Sequence, residues 1–397
     1  MFPLRWPLIL TAALFTAGGW AARRGRNAET PEAPEAPAAE PEPTPVPAPS
    51  PEEVHQGPLF PDGLPMTELT LPDGLANPTS QGCAACHGDI QHHWQGSAHA
   101  QGWAGSAYQL AVRDASEPTT CQGCHLPLLA QHPLQVVHHS DGDPGSPQHA
   151  ANSGWSPSLQ REGVTCASCH LREGTILGPR GSTAAPHPTA ASAELSSPAL
   201  CAACHQLSWP DSEIAWYDTY GEWYRSPYRE AGVSCQDCHM PQQAGTVSTG
   251  RFAAHASHAM AVDAHRAVSV LAHIASPEIS RGEPFDFALQ IQNTGSGHAF
   301  PTGQPGKAYL VRAVVVDAEG KQLHEPLEHR LERTVSPEPP YALVADERIP
   351  ARGELMLEHQ ATISQKKPAG PSSLRVTIVA EQSGAVLVER SFPVSVI

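Results

Sequence analysis

The chain has 397 residues, a net charge of −16 with histidines neutral, 41 prolines and only 6% aromatic residues. That length allows two or three domains, while the acidic balance argues against nucleic-acid binding and serves solubility first. So few aromatics are meagre for an ordinary packed core.

Residues 1–26, "MFPLRWPLILTAALFTAGGWAARRGR", place one arginine before an apolar run from about Trp6 to Ala22 and three arginines behind it. This reads as a secretory signal or a short N-terminal membrane anchor, so export to the periplasm or the outer face of the cytoplasmic membrane is expected. Cleavage is left open, because the small residues Ala17, Gly19 and Ala21 stand just before positive charge. The first cysteine is Cys83, so none is available for lipid attachment near the apolar run. Residues 27–78 begin with a Pro/Ala/Glu tract without apolar periodicity, which predicts a disordered linker and lead-in. No lysine or arginine falls between Arg26 and Arg113.

All ten cysteines then fall into five copies of one unit. These are Cys83/Cys86/His87, Cys121/Cys124/His125, Cys166/Cys169/His170, Cys201/Cys204/His205 and Cys235/Cys238/His239. With 22 histidines in the chain, one would follow all five C-x-x-C pairs by chance roughly once in two million. Two thiols about one helical turn apart can each form a thioether to a haem vinyl group, and the next residue then lies beneath the iron as its fifth ligand. Zinc would pair C-x-x-C units into Cys₄ sites, but five is odd and the trailing histidines would have no role. A redox dithiol needs one such unit, and five disulfides across such tight pairs would be strained. The unit is therefore a haem c attachment signature, and five covalent haems are expected.

The segment 79–263 provides roughly 37 residues per motif, below the size at which a protein-only core usually suffices, so haem must supply much of its interior. Recurrent Gly and Pro predict loops and short helices there. One exception is about Ser212 to Glu230, where Trp216, Tyr217, Tyr220, Trp223 and Tyr224 approximate a helical stripe, read as core and haem-edge packing. From 264 to 397 the pattern changes to short alternating runs such as "FDFALQIQN", "AYLVRAVVVDAEG" and "SLRVTIVAEQ" separated by turn residues. These predict an immunoglobulin-like β sandwich. The fold class is α+β multidomain.

Seventeen histidines lie outside the motifs as sources of a sixth ligand. "CAACHGDIQHHWQGSAHA" resembles the C-x-x-C-H-x-x-I-x-x-x-W-x-x-S-x-H-A element of periplasmic multihaem cytochromes c, the group that includes hydroxylamine oxidoreductase and its tetrahaem electron acceptor. "REGVTCASCHLREGTILGP", "HPTAASAELSSPALCAACHQ", "EWYRSPYREAGVSCQDCHMP" and "NTGSGHAFPTG" extend the resemblance over about Thr79 to Gly303. It implies distal ligands at His99, His187 and His298. A histidine-bearing segment also occurs there in that family, at "RFAAHASHAM" here, so His255 and His258 join the candidates although their spacing departs from the family's. Independently, Gly295, Gly297, Pro301 and Gly303 would form a tight loop at one end of the sandwich, able to carry His298 to a haem. His92, His93, His132, His138 and His139 are unranked rivals.

Closely spaced, mostly bis-histidine haems predict an electron carrier serving redox protein partners in the cell envelope. The alternative is a multihaem enzyme with one open iron, acting on a small nitrogen or sulfur oxyanion. Every motif ends in histidine, so the C-x-x-C-K motif of nitrite-reducing relatives is absent, and after the last motif only Tyr309 and Tyr341 are tyrosines. The carrier reading is preferred, with no residue assigned as catalytic.

Overall fold

The computed structural model describes residues 48, 50, 69–113, 118–139, 147–183, 185–208, 212, 214–262, 264–338 and 340–397. The expected export segment and most of the 27–78 tract lie outside the described residues, which belong to one compact unit, 42–397. Among the described residues no helix is long and apolar enough to cross a membrane.

Punctuation by Gly and Pro keeps the first part of the chain in short pieces. Its helices are α1 Ser80–Gln95, α2 Ser106–Arg113, α3 Pro118–His125, α4 Pro157–Arg161, α5 Cys166–His170, α6 Pro198–His205, α7 Thr219–Tyr224, α8 Pro227–Glu230 and α9 Cys235–His239. Proline opens α4, α6 and α8, where its missing N–H would have had no helical partner anyway. The long helix α1 is bent at His87, whose φ of −110° and ψ of 42° leave the helical region.

Short sheets join these helices where loops were expected. They are the hairpin of β1 Leu134–His139 with β2 Pro147–Ala151, the trio β3 Leu171–Arg172, β4 Thr175–Gly178 and β5 Thr189–Ala191, the pair β6 Leu207–Ser208 and β7 Ala215–Tyr217, and the hairpin of β8 Gln242–Ser248 with β9 Arg251–Ala256. The helical stripe expected over 212–230 does not form as one element. Residues 215–217 pair as β7, and Pro227, which cannot continue a helix, divides the remainder into α7 and α8. Tyr220 and Trp223 are buried as expected of core aromatics.

After residue 264 the strands lengthen. β10 Val268–Ile274, β12 Pro284–Asn293 and β17 Glu354–Thr362 make one antiparallel sheet; β11 Glu278–Ile279, β13 Tyr309–Asp317, β14 Leu327–Leu331, β18 Gly370–Ala380 and β19 Val386–Val396 make another, ordered β11-β19-β18-β13-β14. A further pair, β15 Arg333–Val335 and β16 Leu343–Asp346, stands apart. Because side chains alternate along a strand, Phe287, Leu289 and Ile291 of the first sheet and Val311, Ala313, Leu374, Val376 and Ile378 of the second enter one hydrophobic cluster. The three runs quoted from the sequence become β12, β13 and β18. What results is a mixed fold with many strands and few helices.

Candidate functional site

Each C-x-x-C-H unit is one helical turn that ends a helix on its histidine, except in α1, where the chain bends at the histidine and continues. The turns are started by capping side chains. Thr79 accepts from the Gly82 N–H at 3.2 Å, Ser197 accepts from the Ala199 N–H at 3.2 Å, and Ser234 and Asp237 exchange a capping box. A one-turn helix places both thiols and the imidazole on neighbouring positions of one surface.

Four motif imidazoles are oriented by backbone carbonyls. Nδ1–H donates to Val247 from His87 (2.6 Å), to Gly102 from His125 (2.6 Å), to Leu177 from His170 (2.7 Å) and to Ala261 from His239 (3.2 Å). A proton held on Nδ1 leaves the Nε2 lone pair free, the usual arrangement of a metal-binding histidine.

Three motif histidines face a histidine from elsewhere in the chain. Ring centres are 6.3 Å apart for His205 and His99, 6.1 Å for His170 and His258, and 6.3 Å for His239 and His298. An imidazole nitrogen lies about 2 Å from a transition metal it binds and the ring centre about 1 Å beyond, so two imidazoles on opposite faces of one iron stand about 6 Å apart. The three pairs fit that spacing. Among the described residues no group of three or more His, Cys, Asp or Glu side chains gathers as a protein-only metal site requires; a porphyrin, which brings four nitrogens of its own, needs only a pair. Burial holds His205 and His258 down to about 4 and lowers His99, His170 and His298 as well. These imidazoles are thus neutral, as ligation demands.

Other candidates are placed differently. His255 faces His93, which belongs to no motif, at 6.2 Å, and its buried Nε2 has no hydrogen-bond partner. The same spacing thus occurs between histidines outside the motifs, as it does for His324 and His359 at 6.3 Å. His187 meets the Thr189 hydroxyl at 3.1 Å and lines an open cavity of about 550 Å³ with Asp73, Gly74 and Pro186. His132 uses both ring nitrogens: Nε2 donates to the Leu126 carbonyl at 2.7 Å and Nδ1 faces the Gln122 amide at 3.1 Å, so this buried rival is structural. His92 is exposed at the end of α1. The side chains of His138 and His139 lie outside the described residues.

The motifs also touch one another, which spacing in sequence did not reveal. Thiols are hydrogen-bonded between motifs one and three (Cys83 with Cys166), two and four (Cys124 with Cys204) and four and five (Cys201 with Cys235). The first contact is reinforced by Glu162, which accepts from Ser80 N–H (2.9 Å), Ser80 Oγ (2.8 Å) and Thr165 Oγ1 (2.7 Å) at the starts of α1 and α5. The last is reinforced by Gln236, whose amide donates to the Ser197 carbonyl at 2.8 Å. Cys169 lies close enough to the fourth motif to raise the Cys201 thiol further and to be raised in turn by Cys204. Cys86 and Cys238, in motifs one and five, are the exposed cysteines.

No known protein family matches the chain, and no curated protein does. Among solved structures it is similar to a penta-haem cytochrome c552 from Thermochromatium tepidum. The identity is 17% and the TM-score 0.57, with 81% of this chain and 100% of that one covered. At this identity the likeness is one of fold, that of a multihaem cytochrome. The CARDB domain of a Pyrococcus furiosus protein matches 33% of this chain and 87% of its own at 14% identity and a TM-score of 0.21, too low to carry an argument.

Proposed function

We propose that the protein is an exported pentahaem c-type cytochrome that carries electrons between redox proteins of the cell envelope, its haem region followed by an immunoglobulin-like sandwich. The observation that carries this reading is the facing of three motif histidines, His170, His205 and His239, by His258, His99 and His298 at the spacing of two ligands on one iron. Haem c would supply the redox-active iron at each motif. The chain's own part is to bond it through Cys83, Cys86, Cys121, Cys124, Cys166, Cys169, Cys201, Cys204, Cys235 and Cys238, to present His87, His125, His170, His205 and His239 beneath it, and to keep water out. His187 and His255 stand as the remaining distal candidates for motifs one and two.

Thiol contacts arrange the motifs as one, three and four in series, with two and five joined to four. The exposure of Cys86 and Cys238 makes the first and fifth sites the points of exchange with partners. A charge of −16 favours partners with a basic docking face. A second reading, an enzyme with an open iron, is favoured by the surroundings of His125. Its ring is stacked by Tyr108 at 4.3 Å, and the Tyr108 hydroxyl, buried without a partner and pushed up by burial, stays protonated beside the second motif.

Mass spectrometry and a pyridine haemochrome assay of the exported protein test the proposal. Five covalent haems per chain, lost one at a time as each cysteine pair is replaced by serine, are expected. Fewer than five, or bound zinc, would overturn it.

A further inference from the structure

The loop that carries His298 is held by a buried carboxylate from the motif region. Glu222, on α7, and Arg348, between β16 and β17, form an ion pair at 2.5 Å with side chains 9% and 8% exposed. The other Glu222 oxygen accepts from the Ala299 N–H at 3.2 Å and the Thr302 hydroxyl at 2.6 Å. Ala299 in turn receives the His298 Nδ1–H on its carbonyl at 3.0 Å. A single residue thus connects the carboxylate to the imidazole, and the carboxylate's charge acts on His298. The loop is tied independently by Asn293, which donates to the carbonyls of His298 (2.8 Å) and Ile349 (3.0 Å), and by the paired backbones of Phe300 and Ile349. Other charges are near. Arg348 also chelates Asp346 at 2.7 Å, Asp218 pairs with Arg225, Arg333 donates to the Trp216 carbonyl, and Lys307 is buried close enough to lower His298.

We infer that Glu222 is a positioning residue of the fifth haem site. Through Ala299 and Thr302 it fixes the imidazole of His298, and its buried negative charge, balanced by Arg348, sets the redox potential of that one site. The inference rests on the haem reading above. Because the loop has its own ties through Asn293 and Phe300, Glu222 is not needed merely to close it; its distinctive contribution is charge. Buried charge acts in a low-dielectric setting where water screens it poorly, and a negative charge favours the ferric over the ferrous form.

The test is a spectroelectrochemical titration of the five-haem protein carrying Glu222→Gln, whose amide oxygen still accepts from Ala299 and Thr302. The expected result is an unchanged low-spin spectrum with one-fifth of the absorbance change moved to higher potential. Arg348→Gln, which leaves the carboxylate unbalanced, should move the same fifth to lower potential. Unmoved potentials in both variants, or an even shift of all five, would overturn the inference. If neither variant is obtained with five haems, Arg348→Lys, which keeps the charge, should titrate as the parent protein does, and a displaced fifth would count against a charge-based role. His298→Gly separates this from the reading beneath it. It should convert one-fifth of the haem to high spin; no high-spin signal sinks the ligand assignment, whereas that signal together with a silent Glu222→Gln sinks only the inference about Glu222.

Discussion

The β-rich region from 264 to 397 and the motif region from 79 to 263 solve the same problem with different materials. The first gathers 20 buried hydrophobic residues into one cluster. Among the described residues, the second, although longer, has two clusters of three: Leu128, Ala167 and Leu171, and Ala202, Tyr220 and Trp223. Burial of apolar surface is the main driving force for folding, so the β-rich region has its own supply, whereas the motif region has little, as the haems proposed for it would require. Their junction combines polar contacts, the Glu222–Arg348 pair and those of Thr219 with Thr302 and of Tyr228 with the Thr294 carbonyl, with the edge-to-face rings of Trp216 and Tyr341 at 5.2 Å. The β-rich region therefore holds His298 on a loop backed by a large core, while the motif region it faces buries few apolar side chains.

The largest effect should come from producing the chain without haem attachment. Amide exchange is then expected to find the strands from Val268 to Val396 protected and the motif helices freely exchanging; equal protection of both would show that the motif region has a sufficient core of its own. Next is Arg348→Ala, which leaves Glu222 charged and buried and should cost about 3–5 kcal/mol in denaturant unfolding. Ile291→Ala opens a cavity in the main cluster and should cost about 2–5 kcal/mol while leaving the haem spectrum unchanged. A smaller and reversible contrast is expected with acid. His205 and His258 are held at about 4 by burial, below the ordinary 6.5, so the unfolded chain takes up protons first as pH falls. Stability of the motif region should be intact above about 6.5 and fall as pH drops towards 4, a loss visible in low-spin absorbance before the strand signal in circular dichroism changes. The smallest effect belongs to Ser234→Ala, which removes the cap of the fifth motif helix at about 1 kcal/mol.

How much could be read from the sequence follows the same division. The motifs were legible because thioether chemistry fixes Cys, Cys and His at set spacing, and the long strands were legible because one buried face imposes alternation. Strands such as β3 to β7, only two to four residues long, leave no period to read. The pairing of His99 with His205 and of His258 with His170 depends on tertiary packing, as does the burial of His132 as a structural residue. Glu222 was hidden for another reason. It sits among aromatics that drew attention to the stripe, and its partners Thr302 and Arg348 lie 80 and 126 residues away.

Closure of three irons by histidine pairs would show in the visible spectrum of the reduced protein before and after carbon monoxide. At least three-fifths of the haem absorbance should be unmoved, the share held by His99 with His205, His258 with His170 and His298 with His239. A shift of more than two-fifths would mean that at least one of these pairs does not close its iron.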